Sequence, residues 1–215
     1  MIQVAVIYFS ATDTTHQLAQ AVAEGVQSQS GARVRLERIQ GEDIHQGRFT
    51  KPQLMDRLQQ ADAMIFGSPT YMGSAAAQFK AFADSTGELW SKQAWANKVA
   101  AGFTVGTNLS GDQKHTLDYF QTFANQHGML WCGVDIPGTY DPKLRNRLGA
   151  QGGVVRRLLE HCANYGYQLI QNWESSSLPK SSLAHRVILK CALALWFLEP
   201  LQDPIYTSSQ ICVGI

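Results

Sequence analysis

The stretch VAVIYFSATDTTHQLAQAV, residues 4–22, decides the fold. It starts as a nearly continuous apolar run and ends as a helical pattern, and between them lies SATDTT, six small or polar residues with no glycine. The nearly continuous apolar run from Ile2 to Phe9, with Val4, Val6 and Ile7, marks a strand covered on both faces, which is a central strand of a parallel sheet. From Thr14 to Gln29, Leu18, Ala21, Val22 and Val26 recur at helical spacing, and Gly31 supplies a stop signal. Strand, polar loop and helix together make the first half of a βαβ unit.

The pattern repeats along the chain. Arg33 to Ile39 reads as a second, less buried strand near an edge, Pro52 opens a helix with Leu54, Met55 and Leu58 on one face, and ADAMIFGS (61–68) is a third strand. A helix from Ala75 carries Phe79, Phe82 and Ala83, KVAAGFTVG (98–106) is a fourth strand, and Leu117, Phe120, Phe123 and Ala124 mark another helix. GMLWCGV (128–134) reads as the fifth strand and Val154 to Trp173 as a final helix. Strands alternating with helices predict an α/β fold, a parallel sheet with helices on both faces. Residues 174–215 begin with ESSSLPKSS, a linker composition, and continue with an apolar stretch interrupted by Lys190, shorter than the ~20 residues of a spanning helix. The expected organisation is one domain over 1–173 and a C-terminal extension over 174–215.

At 215 residues and 45% hydrophobic content the chain can build one substantial core. Lys plus Arg (18) and Asp plus Glu (17) nearly cancel, so no general field favours nucleic acid. The four cysteines, Cys132, Cys162, Cys191 and Cys212, form neither a CxxC pair nor a disulfide framework, and no HExxH-type spacing suggests a metal. The N-terminal residues run straight into a patterned strand without a basic leader, so the expectation is a cytoplasmic protein with no transmembrane segment.

In open α/β sheets a ligand sits beyond the carboxyl ends of the strands. Three exits are candidates: Ser10 to Thr15, Ser68 to Ser74, and Thr104 to Asp112. At the first, unpaired N–H groups of a helix start and the hydroxyls of Ser10, Thr12, Thr14 and Thr15 suit a phosphate monoester, or equally serve as an ordinary N-cap. Neither GxGxxG nor GxxxxGK[ST] occurs, which argues against a dinucleotide's pyrophosphate and a nucleoside triphosphate. At the second, Tyr71 and Met72 form either an apolar wall for a flat ring or a plain surface turn. Trp90 reads first as packing, and His127 as a structural imidazole.

The segments YFSATDTTHQLAQAVAEG (8–25), IFGSPTYMGSAAAQFKAFADSTGELW (65–90) and NQHGM (125–129) resemble the flavodoxin-like NAD(P)H:quinone oxidoreductases of the tryptophan-repressor-binding-protein (WrbA) type, in order over roughly the first 170 residues. The resemblance implies a flavodoxin-like three-layer sandwich with a five-stranded parallel sheet in order 2-1-3-4-5, bound FMN, NADH or NADPH as reductant, a quinone or similar acceptor, and a homodimer or homotetramer. It places Ser10, Ala11, Thr12, Asp13, Thr14 and Thr15 around the FMN phosphate. Pro69, Thr70, Tyr71, Met72 and Gly73 fall along the ribityl chain and isoalloxazine, and Val105, Gly106, Thr107, Asn108, Leu109 and Ser110 along the flavin's polar edge. Trp90, Gln126 and His127 would line the substrate space, Trp90 from a neighbouring subunit. The flavin performs the chemistry in such proteins, so no catalytic side chain and no metal is expected. Three positions depart from the family's pattern: Asp13 replaces a glycine, Thr12 a tyrosine, and Gln126 the first of two histidines.

Overall fold

The computed structural model describes residues 1–108, 111–134, 146 and 148–157. In chain order the elements are β1 (Ile2–Phe9), α1 (Thr14–Gln27), β2 (Ala32–Ile39), the short pair β3 (Ile44–His45) and β4 (Arg48–Phe49), α2 (Pro52–Gln59), β5 (Ala63–Tyr71) and β6 (Ser74–Ala75). They continue with α3 (Ala77–Asp84), α4 (Gly87–Ser91), β7 (Val99–Gly106), α5 (Gln113–Gln126), β8 (Leu130–Trp131) and β9 (Val154–Arg157). The main sheet runs β2-β1-β5-β7-β8, every pair parallel, with β9 also parallel to β7 and β6 folded back antiparallel on β5. Without the short hairpin pieces this is the flavodoxin-like order 2-1-3-4-5.

The central strands are mostly apolar because both of their faces are covered. Val4, Val6 and Tyr8 of β1 pack with Leu18, Ala19, Val22 and Val26 of α1 on one face. Ala5, Ile7 and Phe9 pack on the other face with Leu54 and Leu58 of α2, Phe79 and Phe82 of α3, and Phe120 and Phe123 of α5. This strict alternation follows from the two-residue period of a strand. β2, at the sheet's edge, keeps only its last residue, Ile39, fully buried, which fits its mixed composition.

Two elements differ from the sequence reading. The fifth sheet position is shared: Leu130–Trp131 pairs with the start of β7, at Val99 and Ala100, while Val154–Arg157 pairs with its end, Phe103 to Gly106. The helix expected from Val154 therefore does not begin there. Val154 belongs to the core on the α1 face and Val155 to the core on the opposite face, a placement that requires a strand's alternation, and consecutive β-branched residues favour it. The remainder of that expected helix and the extension over 174–215 lie outside the described residues. No helix among the described residues is long and apolar enough to cross a membrane.

Candidate functional site

The strand order sets the site's position. From β1 the chain goes outward to β2, then crosses back to β5 on the other side of β1, so the crevice between the exits of β1 and β5 is a topological switch point. Tyr8 is level with Gly67, and Pro69 with Val105. The loops after β1, β5 and β7 thus emerge side by side on one edge.

At the β1 exit, Ser10 is buried and its Oγ accepts the N–H of His16, 3.1 Å away, in the first turn of α1. Among the described residues no acceptor receives the backbone N–H groups of Thr12, Asp13, Thr14 or Thr15. Those of Asp13 to Thr15 are orphan donors of the helix start, at its positive dipole end, and that of Thr12 belongs to the loop just before it. The Thr12 and Thr14 hydroxyls stand 3.2 Å apart beside them, while Thr15 is buried. Asp13 adopts φ 61°, the left-handed conformation glycine takes without strain. Its carboxylate is paired with Arg38 from β2 at 2.8 Å, and the same Arg38 Nη2 donates to the Ser10 carbonyl at 2.9 Å. Beneath the loop, the Tyr8 hydroxyl and His16 Nδ1 share a hydrogen bond of 2.6 Å, and burial raises the phenol's pKa above its ordinary value. His16 thereby braces the start of α1 against β1.

At the β5 exit, β5 and β6 form a ribbon whose two turn residues, Met72 (φ 47°) and Gly73 (φ 79°), are both left-handed, the geometry that matches strand twist in a two-residue hairpin. Met72 is fully exposed and Tyr71 about half exposed. Together they leave an uncovered apolar wall above the sheet edge. The ribbon is fixed from below: Thr70 Oγ1 lies 2.8 Å from both Thr104 Oγ1 and Thr116 Oγ1, Thr104 donates to the Ser68 carbonyl at 2.7 Å, and Ser68 Oγ accepts the Ala76 N–H at 2.9 Å. His115 Nδ1–H donates to the Gly73 carbonyl at 2.6 Å, tying the turn to α5.

At the β7 exit, Val105 and Gly106 are buried and Thr107 and Asn108 exposed. A Cβ on Gly106 would lie 2.3 Å from Gln113 Nε2, so the glycine admits that side chain beneath the loop. Gln113 Nε2 donates to the Asn108 carbonyl at 3.1 Å, while its buried Oε1 has no partner among the described residues. Leu109 and Ser110 lie outside the described residues. Free N–H groups, an open apolar wall and a polar loop fit, in that order along the edge, a ligand with a phosphate, a chain and a flat ring. FMN is such a ligand, and the residues present fit it.

Trp90, Gln126 and His127 fall elsewhere. They share a groove of about 540 Å³ with Lys80, Asp84 and Tyr119, between α3, α4 and the end of α5. Gln113, under the β7 loop, and Gln126 are the two ends of a 14-residue helix, so the groove is roughly 20 Å from the strand exits along that helix. Within one chain the two sets of residues do not share a space. Among the described residues no cluster of three or more His, Cys, Asp or Glu side chains is placed to hold a metal. Burial pushes the Cys132 thiol up to about 12, so it stays protonated. The sequence reading missed Arg38, Gln113 and His115. Their contacts depend on strand register and on loop-to-helix packing, and only the strand pairing of β1 with β2 could have pointed to Arg38.

Comparison with known proteins agrees with this geometry. The model of the NADPH-dependent FMN reductase family matches residues 2–134. Flavodoxin FldP of Pseudomonas aeruginosa is 38% identical over 160 residues, 72% of this chain and 80% of that protein. An NAD(P)H dehydrogenase (quinone) of Geobacter sulfurreducens is 34% identical over 144 residues, 61% of this chain and 71% of that protein. Among solved structures, the flavodoxin, WrbA-like protein from Agrobacterium tumefaciens is 40% identical with a TM-score of 0.53, covering 61% of this chain and 76% of that one. Oxidised Flavodoxin 2 from Bacillus cereus shares the fold, at 16% identity and a TM-score of 0.52, over 90% of this chain and 97% of its own. With its fold and the family match in agreement, this chain belongs to the NADPH-dependent FMN reductase family of oxidoreductases.

Proposed function

We propose that the protein binds FMN at the edge formed by the exits of β1, β5 and β7 and uses it to pass two electrons from NADH or NADPH to a quinone. The observation that carries this reading is the juxtaposition of four unpaired N–H groups with the exposed Tyr71–Met72 ribbon on one sheet edge. Family membership supports the cofactor and the reductant, and relatives named NAD(P)H dehydrogenase (quinone) support the acceptor.

When bound, the flavin supplies hydride chemistry at N5, and the protein supplies binding, orientation and electrostatics. Residues Ser10 to Thr15 hold the phosphate through main-chain N–H groups and the hydroxyls of Thr12 and Thr14. Thr70, oriented by Thr104 and Thr116, meets the ribityl chain. Tyr71 and Met72 cover one face of the ring and keep water from it. Asn108, held by Gln113, and its neighbours line the polar edge. No side-chain acid or nucleophile is required. A homodimer or homotetramer completes the substrate space by bringing the exposed Trp90 of one copy, with Gln126 beside it and His127 buried beneath, toward the ring of another.

The test is an anaerobic titration of the FMN-loaded protein with NADH or NADPH, followed by benzoquinone. Bleaching of the oxidised flavin by a nucleotide and recovery of colour on quinone addition are expected. Absence of bleaching by either nucleotide overturns the reductase reading. Because FldP is named a flavodoxin, a one-electron carrier is the second reading, and a long-lived one-electron-reduced flavin would favour it. The near-neutral net charge of +1 lacks the acidic field that steers a carrier to its partners.

A further inference from the structure

We propose that Arg38 is a positioning residue for the cofactor's phosphate, acting by neutralising Asp13 and by fixing the loop that carries the N–H donors. The inference rests on the reading that FMN binds at the β1 exit. A loop that presents main-chain donors to a dianion is poorly served by a carboxylate, which repels the ligand unless its charge is cancelled or turned away. Asp13 stands at that position, with φ 61° and a side chain 65% exposed.

Arg38 resolves the conflict. Its Nη2 is 2.8 Å from Asp13 Oδ1 and donates to the Ser10 carbonyl at 2.9 Å, so one guanidinium bridges both ends of the turn. The Arg38 side chain is only 29% exposed and its Nε is buried, so the pair is screened less than an open surface ion pair. Parallel pairing of β1 with β2 places Arg38 beside Tyr8, two residues before Ser10. The position is therefore set by the sheet and does not depend on the loop. A planar fork with a fixed charge can hold a carboxylate and a carbonyl at once. Asp13 keeps the left-handed turn, and Arg38 removes its electrostatic cost.

The experiment measures dissociation constants of FMN and of riboflavin, which lacks the phosphate, by flavin fluorescence quenching. The proteins compared are wild type, Arg38→Met, Asp13→Gly and the double variant. Arg38→Met should weaken FMN binding about tenfold and riboflavin binding less than twofold, because the bared carboxylate faces only a phosphate. Asp13→Gly should bind FMN at least as tightly as wild type, and the double variant should return to within about threefold of wild type. Equal losses for FMN and riboflavin would mean that Arg38 merely supports the fold, and overturn the proposal. A double variant as weak as Arg38→Met would mean that cancelling the Asp13 charge is not what Arg38 does for the phosphate, which also overturns the proposal. If Arg38→Met does not fold, Arg38→Lys keeps the charge and should lose less than about threefold for FMN; a tenfold loss there overturns charge cancellation. Wild-type protein that binds no FMN sinks the underlying reading itself, a result separate from all of these.

Discussion

At neutral pH His127 is an uncharged core residue. It is 2% exposed, its ring lies 4.4 Å from that of Trp95, and its Nε2 is 2.9 Å from Thr86 Oγ1. The Thr86 hydroxyl already donates to the Ala83 carbonyl, so the imidazole must donate through Nε2–H, leaving Nδ1 bare and buried. Burial lowers its pKa from 6.5 to about 4. The unfolded chain therefore binds the proton more readily between those values, and the stability His127 contributes is complete above pH 6.5, declines as pH falls, and is lost below about 4. The span corresponds to about 3 kcal/mol. His127→Phe, which keeps a ring in the same packing, should flatten the decline of the urea midpoint between pH 7 and 4 relative to wild type; parallel curves for the two proteins would contradict this assignment.

At the scale of elements, close approach between strands depends on small residues. A Cβ on Gly67 would lie 2.2 Å from the ring of Phe103, its partner across β5 and β7, and that ring is fully buried. Gly67→Ala should therefore cost about 3 kcal/mol in chemical denaturation, the upper end for overpacking. Gly41→Ala, with nothing within 4 Å of its Cβ, should stay within roughly 0.5 kcal/mol. A small loss at Gly67 would show that the Phe103 ring can move aside. The contrast also marks what was legible in the sequence. The apolar runs of β1, β5 and β7 and the helical periodicity of α1 and α5 announce themselves, because each is a local pattern produced by burial on both faces or on one. Val154 and Val155 do not, since four residues fit either period and only the open second half of β7 makes them a strand. The hydroxyl loop at Ser10 to Thr15 was visible as a helix start. Arg38, 28 residues from Ser10, became visible only through pairing between strands.

At the scale of the molecule, the edge proposed to bind FMN is assembled from pieces far apart in sequence. β1, β5 and β7 carry its loops, and among the described residues the last four residues of β7, just before Thr107, gain their outer neighbour from Val154–Arg157. The first two residues of β7 are paired much earlier in sequence, by Leu130–Trp131. Closing the longer connection carries a larger entropic cost, and distant pairings form slowly. The expected order in time is most of the sheet first and the segment that finishes the third strand exit afterwards. On dilution from urea in the presence of FMN, far-ultraviolet circular dichroism should recover before flavin fluorescence is quenched, and simultaneous recovery would place β9 in the earliest folded structure. On that prediction the split in the sheet's outermost position acts as a clock, with competence to hold the proposed ligand the last property the chain acquires.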